Sequence, residues 1–128
     1  MSQTALEQFG AHKKARDLFD LVIEDMEALK KDPRCYRLIT QQVASADSIC
    51  ANIEEGFGRL SRTEYVRFLD IARGSSRETR GRYERMHHWL SQDVIKERVQ
   101  LIDEIIGILT SSIVRMRSVT KRGGDSVR

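Results

Sequence analysis

Four stretches of the chain place apolar residues at every third or fourth position, and this repeat limits the fold more than any other feature of the sequence. Such spacing lines one face of an α-helix, so each stretch is expected to form a helix that buries its apolar side. The single proline in 128 residues and the aromatic content of 6% argue against β-sheets, which favour aromatic residues and need frequent turns. The sequence therefore predicts an all-α protein.

Breaks between the apolar stripes mark where each predicted helix ends. Asp32 and Pro33 separate the first helix from the second, and Ser91 or Asp93 is expected to cap the fourth. The stripes span residues 15–29, 38–53, 65–90 and 95–116.

Long helices with short connections favour an antiparallel up-down-up-down four-helix bundle, predicted here over residues 11–118. Residues 1–10 are expected to be a flexible N-terminus, and residues 119–128 have no apolar repeat and are expected to be a disordered tail.

The glycine pair Gly56 and Gly58 lies between the second and third stripes. A phosphate-binding loop would need a lysine, a hydroxyl and a preceding strand, which the EEGFGR segment lacks. Glycine is also common where a left-handed residue closes a helix, and Ser61 followed by Glu64 has the spacing of a capping box. The segment is therefore interpreted as the end of one helix and the start of the next.

Small residues are expected to line the contact between the second and third helices. With the turn centred near Gly58, residues whose numbers sum to about 118 should face each other, which would explain a glycine inside a helix by close backbone approach. The residues expected to meet are Ala44, Ser45 and Ser48 on one helix and Ala72, Gly74 and Ser75 on the other.

The N-terminal residues lack the basic and apolar regions of a leader, and no stretch is apolar enough to span a membrane, which predicts a cytoplasmic protein. The two cysteines have no metal-binding or redox spacing, and a disulfide between them is not expected. Cys50 is expected to be a core residue and Cys35 a surface thiol.

The strongest hint of metal chemistry is Glu84 followed by His87, the Glu-x-x-His spacing of di-iron bundles. Such a site needs a second copy of the motif, which the chain lacks, so His87 and His88 are interpreted as solvated residues near a helix end. No spacing suggests a nucleophile with a base. We predict a protein that is not an enzyme and has no cofactor or metal site.

The third predicted helix and its approach hold eight arginines within 27 residues and no lysine. Arginine binds phosphate and carboxylate groups through two parallel hydrogen bonds, so this set suits RNA, DNA or an acidic protein surface. At 100° per residue, five of the arginines fall on one half of the helix and form the predicted nucleic-acid site. They are Arg59, Arg62, Arg73, Arg77 and Arg80.

Acidic residues on the same helix leave a second interpretation open. Glu64, Asp70, Glu78 and Glu84 lie one turn from arginines and can pair with them, which would leave a solvated face with little net field. Glu54 and Glu55 also need cationic partners, for which Arg59, Arg62 and Arg67 are nearest. The composition alone does not decide between nucleic-acid binding and internal pairing.

Several motifs together resemble a known family. The segments are NIEEGFG at residues 52–58 and ARGSSRE at residues 72–78. The chain is similar to the four-helix-bundle family found as open reading frames inside bacterial ribosomal RNA intervening sequences, which includes the accessory protein of diversity-generating retroelements. The residues that carry the resemblance include Gln41, Ser48, Asn52, Glu55, Gly56, Ala72, Gly74, Ser75 and Glu78.

The resemblance implies a homo-oligomer, a pentamer in the retroelement protein, which binds a reverse transcriptase and nucleic acid. Apolar residues on more than one side of the fourth helix, in the segment IIGIL at residues 105–109, also favour self-association. The expected partners are therefore further copies of the chain, RNA or DNA, and a reverse transcriptase or other protein. A structural protein-interaction module with internally paired arginines is the alternative.

Overall fold

The computed structural model describes residues 3–123, and four long helices within that range pack as a bundle. Each long helix contacts the next one along the chain, and the first long helix also contacts the last. A short helix precedes them, and 3₁₀ turns occupy Pro33–Cys35 and Met86–His88. The helices are α1 (Gln3–Gln8), α2 (Gly10–Met26), α3 (Tyr36–Phe57), α4 (Arg62–Arg85) and α5 (Gln92–Gly123). The predicted all-α bundle is confirmed, with its four helices in α2 to α5.

The two ends of the chain differ from the predicted boundaries. Helix α1 lies within the segment 1–10, and Leu6 is buried against the core. Helix α5 continues to Gly123, five residues beyond the predicted end at residue 118. Residues 124–128 of the predicted tail lie outside the described residues, so flexibility at either end stays a prediction.

The predicted apolar stripes form the core. Ile49 and Ile53 of α3 and Ile102 and Ile105 of α5 are fully buried, as the helical repeat requires. Ser61 caps α4 by accepting a hydrogen bond from the Glu64 backbone N–H at 3.1 Å, and Ser91 accepts one from Val94 at 3.2 Å at the start of α5. These caps fix where the third and fourth bundle helices begin.

The glycine pair does not close α3 in the predicted way. Gly56 lies inside α3, and Gly58 caps it with φ of −86°, a right-handed conformation open to any residue. A Cβ atom on Gly56 would lie 3.2 Å from the Cβ of Phe68 and 3.4 Å from the Tyr65 carbonyl oxygen. Gly56 therefore serves close packing of α3 on α4, and the predicted left-handed cap is wrong.

The contact between α3 and α4 is polar, and its register differs from the prediction. The Ser48 and Ser75 hydroxyls are 2.8 Å apart, and the Ser45 hydroxyl lies 2.7 Å from that of Thr79, so neither serine meets the residue expected from the predicted register. A Cβ on Gly74 would meet nothing within 4 Å, so the close approach predicted there is wrong. The residue numbers of the two hydroxyl pairs sum to 123 and 124, so partners lie about five or six residues further along α4 than a turn centred at Gly58 implies.

A buried polar cluster that the apolar repeat does not reveal joins α2, α4 and α5. The Tyr83 hydroxyl donates to Asp25 Oδ2 at 2.7 Å, and Arg98 donates to both carboxylate oxygens, at 2.8 Å from Nε and 3.1 Å from Nη2. Burial and the bonded Asp25 carboxylate raise the pKa of Tyr83, and the hydrogen bond to Asp25 raises the pKa of Arg98. The Tyr83 hydroxyl therefore stays neutral and the Arg98 guanidinium stays charged at neutral pH.

The two cysteines are both free and both buried, so the prediction of a surface thiol at Cys35 is wrong. Cys35 ends the 3₁₀ turn that begins at Pro33, and it belongs to the hydrophobic core. The prediction for Cys50 is confirmed, and burial raises the pKa of its thiol to about 11. A thiol with so high a pKa is protonated at neutral pH and a poor nucleophile.

Candidate nucleic-acid interface

The arginines of α4 that point towards α5 are bound within the protein. Arg73 donates to Asp70 at 2.7 Å and to the Thr110 hydroxyl at 3.3 Å, and its side chain is only 16% exposed. Arg80 donates from Nε to Asp103 Oδ1 at 2.7 Å and lies 3.2 Å from Glu84. The hydrogen bond to Asp103 raises the pKa of Arg80. Both arginines therefore help to hold α4 against α5.

Arg77 differs from its two neighbours in the row. It lies one turn from Arg73 and from Arg80, is exposed, and has no ion-pair partner among the described residues. The acidic groups that bind Arg73 and Arg80 are Asp70, Glu84 and Asp103. The three carboxylates balance the charge of the row, but they are bound to Arg73 and Arg80, so Arg77 is the member whose guanidinium group has no carboxylate of the described chain bound to it.

The other two predicted arginines lie at or before the start of α4. The guanidinium carbon of Arg59 is 4.9 Å from the centre of the Phe68 ring, and that of Arg67 is 4.5 Å from the same ring. Arg59 is also paired with Glu55, as expected for a carboxylate at the end of α3. Arg62 is the first residue of α4, is half-buried and has an interaction partner.

The prediction of one arginine face is corrected for Arg59, while the other four predicted arginines lie in α4 within about 60° of one another around the helix axis. Arg59 precedes the helix, so extrapolating 100° per residue back from α4 assigned it to the wrong side. The four acidic residues named as possible partners all pair with arginines: Glu64 with Arg67, Asp70 with Arg73, Glu78 with Arg82 and Glu84 with Arg80.

The residues that carry the family resemblance mostly line the contact between α3 and α4. Asn52 donates to the Ser48 carbonyl at 2.8 Å and to its hydroxyl at 3.0 Å, and Ser48 in turn bonds Ser75. Ala72 is fully buried and Gly56 packs against Phe68. Glu55 and Glu78 bind arginines, Gln41 is half-buried, and Gly74 is open to solvent on its Cβ side. Their positions favour a role in packing.

Sequence reasoning missed the most buried polar group of this contact. Gln42 is fully buried and donates to the Thr79 carbonyl at 3.0 Å, while Arg82 donates to Ser45 at 2.9 Å. The available signal was the position of Gln42, one turn after Leu38 and one turn before Ala46, where an apolar residue is expected.

No catalytic arrangement is evident among residues 3–123. No group of three or more His, Cys, Asp or Glu side chains there could hold a metal ion. Glu84 is engaged by Arg80, and the exposed His87 stacks on His88 with ring centres 4.1 Å apart. In the same part of the chain, no helix is both long and apolar enough to cross a membrane.

Comparisons with known proteins agree on the fold. The family model described as 23S rRNA-intervening sequence protein matches residues 7–111. A search among curated protein sequences finds no match. The chain is similar to a crystal structure, at 1.70 Å resolution, of a protein with unknown function from the S23 ribosomal protein family of Bacteroides thetaiotaomicron. The TM-score is 0.75 at 22% sequence identity, and the match covers 80% of this chain and 97% of that one.

Proposed function

The chain belongs to the family of 23S rRNA-intervening sequence proteins, and on that premise we propose that it is a non-enzymatic protein that binds nucleic acid. The contact is made by the α4 surface around Arg77. Whether the ligand is RNA or DNA is left to the experiment, because a phosphate contact is common to both. The proposed setting is the cytoplasm, and a reverse transcriptase or another protein remains a proposed further partner.

The observation that supports the proposal is the exposed charge of Arg77 between two arginines held in place by ion pairs. A guanidinium group carries five N–H donors in a fixed fork that matches a phosphate group. Arg73 is bound to Asp70 and Thr110, and Arg80 is bound to Asp103 and Glu84, so the proposed phosphate contact rests on Arg77. The binding expected of this surface, with one arginine unpaired within the described chain, is weak.

Replacing Arg77 with glutamate tests this surface. We expect the affinity for structured RNA and duplex DNA, measured by fluorescence anisotropy across a salt series, to fall at least about tenfold, with a shallower salt dependence. Arg77 is the chosen position because charge reversal at Arg73 would break its hydrogen bond to Thr110 of α5, and charge reversal at Arg80 would break its ion pair with Asp103 of α5.

The matched control is Arg16→Glu, an equal charge change at an exposed arginine of α2 that also has no ion-pair partner among the described residues. Equal losses in both variants would mean that only net charge matters, and wild-type protein that fails to bind at low salt would refute the proposal.

A protein-interaction module is the second candidate, and the ion pairs of Arg73, Arg80 and Arg82 favour it.

Self-association is proposed for both candidate functions. Ile71 of α4 is 40% exposed and Val114 of α5 is 60% exposed, and these helices are adjacent. Apolar side chains exposed on neighbouring helices are typical of a contact surface, which we propose is covered by further copies of the chain.

Light scattering tests the assembly. We expect a mass near that of five chains, the number implied by the family resemblance, and a shift towards one chain when Ile71 and Val114 are both replaced by lysine. Ile23→Lys on α2 is the control, since Ile23 is similarly exposed, at 43%, on another helix. A wild-type monomer at micromolar concentration would contradict the proposed assembly.

A further inference from the structure

The end of the bundle that holds the α2–α3 and α4–α5 turns is tied together by one carboxylate. Asp32 accepts hydrogen bonds from Arg34, at 3.0 Å from Nε and 2.7 Å from Nη2, and from the indole nitrogen of Trp89 at 3.1 Å. The bonds from Arg34 hold the pKa of Asp32 well below its usual range. Because Trp89 belongs to the second turn, the two turns form one surface, here called the turn face.

Exposed aromatic rings lie on the turn face. Tyr36 is the first residue of α3. It is 80% exposed, the highest value for a large hydrophobic side chain in the described part of the chain. His88 packs edge-on against Trp89 with ring centres 5.5 Å apart, and His87 stacks on His88. Rings that remain exposed in a folded protein are available to stack against a ligand.

Cations accompany these rings. Lys31, Arg37 and Arg85 are exposed and have no ion-pair partner among the described residues, and the Arg34 side chain is 83% exposed although it is bound to Asp32. Of the nearby carboxylates, Asp32 is bound to Arg34 and Glu27 to Lys30, while Asp93 is exposed at the start of α5. The turn face therefore carries more free positive than free negative charge.

Two open cavities flank Asp32. The first, of about 290 Å³, is lined by Tyr36 together with Lys30, Asp32 and Ile39. The second, of about 510 Å³, is lined by Arg34, His88 and Trp89. Each cavity thus offers an aromatic ring against which a base can stack, while its own basic side chain, Lys30 or Arg34, is bound to a carboxylate. The cations left to meet a phosphate are those next to cavity-lining residues in the chain that have no ion-pair partner in its described part, Lys31 and Arg37.

We propose that the turn face binds single-stranded nucleic acid, with one base stacked on Tyr36, another beside His88 and Trp89, and phosphates at Lys31, Arg37 and Arg85. Bases of a duplex are stacked on each other and cannot offer their faces to these rings, so the site prefers single strands. The inference rests on the proposed nucleic-acid function for the kind of partner, but it assigns a different surface from that of Arg77.

Trp89 provides a local reporter of binding, because it is the only tryptophan in the chain. We expect oligothymidylate and oligouridylate to quench its fluorescence in a saturable, salt-dependent way, and duplex DNA to quench it much less. Tyr36→Ala should weaken single-strand binding about tenfold, and Arg37→Glu several-fold. Both side chains are exposed, so neither change is expected to unfold the protein, which circular dichroism checks.

Arg16→Glu is again the matched charge control, because Arg16 lies about 15 Å along the helix axis from Met26, where α2 ends before the turn face. The turn-face proposal is supported if Tyr36→Ala loses single-strand binding while Arg77→Glu retains it. Single-strand binding that survives Tyr36→Ala, or that polyglutamate displaces as well as an oligonucleotide does, would overturn it. If duplex DNA or structured RNA binds and only Arg77→Glu abolishes that binding, the proposal for the α4 surface is supported and the proposal for the turn face is refuted.

Discussion

Replacing Asp25 with alanine is expected to lower the free energy of unfolding by about 3–5 kcal/mol, the cost of leaving a buried charge without its partner. Asp25 is 9% exposed and the Arg98 side chain is 13% exposed. Without the carboxylate, the Arg98 guanidinium and the Tyr83 hydroxyl would both lose their acceptor in the contact among three helices. Such a loss is a large part of the stability of a domain this size.

Urea unfolding followed by circular dichroism measures this change, and a double variant separates charge from packing. Asp25→Leu combined with Arg98→Met removes both charges and keeps side-chain volume, so it should be much more stable than Asp25→Ala. Tyr83→Phe removes only the hydroxyl and is expected to cost about 1 kcal/mol. A loss below about 1 kcal/mol in Asp25→Ala, typical of a surface ion pair, would contradict the role of Asp25 as a buried centre.

The helices could be predicted because their signals are local. A buried position such as Ile49 or Ile105 is one member of a repeat that a short window of sequence reveals, and Ser61 and Ser91 lie next to the helices they cap. The same holds for acidic and basic residues one turn apart, such as Asp70 and Arg73. Each interaction depends on residues only a few positions apart.

The Asp25 cluster could not be predicted because its members are far apart in sequence. Tyr83 lies 58 residues and Arg98 lies 73 residues from Asp25. The apolar repeat predicts that the aromatic ring of Tyr83 lies in the core. The repeat carries no information on which carboxylate accepts the hydrogen bond of the Tyr83 hydroxyl. Burial of Asp25 follows only from the relative rotation of three helices.

The candidate surfaces show the same contrast between interactions of neighbouring residues, which the sequence predicts, and interactions of residues far apart in the chain, which it does not. Pairing of Arg80 with Glu84 was predictable from their spacing on α4, whereas its shorter bond to Asp103 of α5 depends on how two helices dock. The turn face was not predicted, because Asp32 and Trp89 come together only when the two turns meet at one end of the bundle. The distribution of charge along the sequence indicated α4 as the binding surface. In the folded chain, exposed cations without ion-pair partners among the described residues also lie near both turns.

Replacing Gly56 with valine is the second change for which we expect a large loss, about 2–3 kcal/mol in the free energy of unfolding. The reason is the close approach of α3 to α4, where even a Cβ atom would lie 3.2 Å from the Cβ of Phe68. That atom is fixed to the α4 backbone and cannot move aside as the end of a long side chain can. The two γ-methyl groups of valine would add to the overlap and push the helices apart.

Two other helical glycines provide the controls, since a Cβ at Gly74 or Gly107 would meet no atom of the described chain within 4 Å. Gly74→Val and Gly107→Val are expected to change the free energy of unfolding by less than about 0.5 kcal/mol, because valine is a slightly better helix former than glycine. Equal losses at all three positions would show that helix propensity dominates and that Gly56 is not a packing site. A loss at Gly74 or Gly107 that grows with protein concentration would instead place another copy of the chain against α4 or α5.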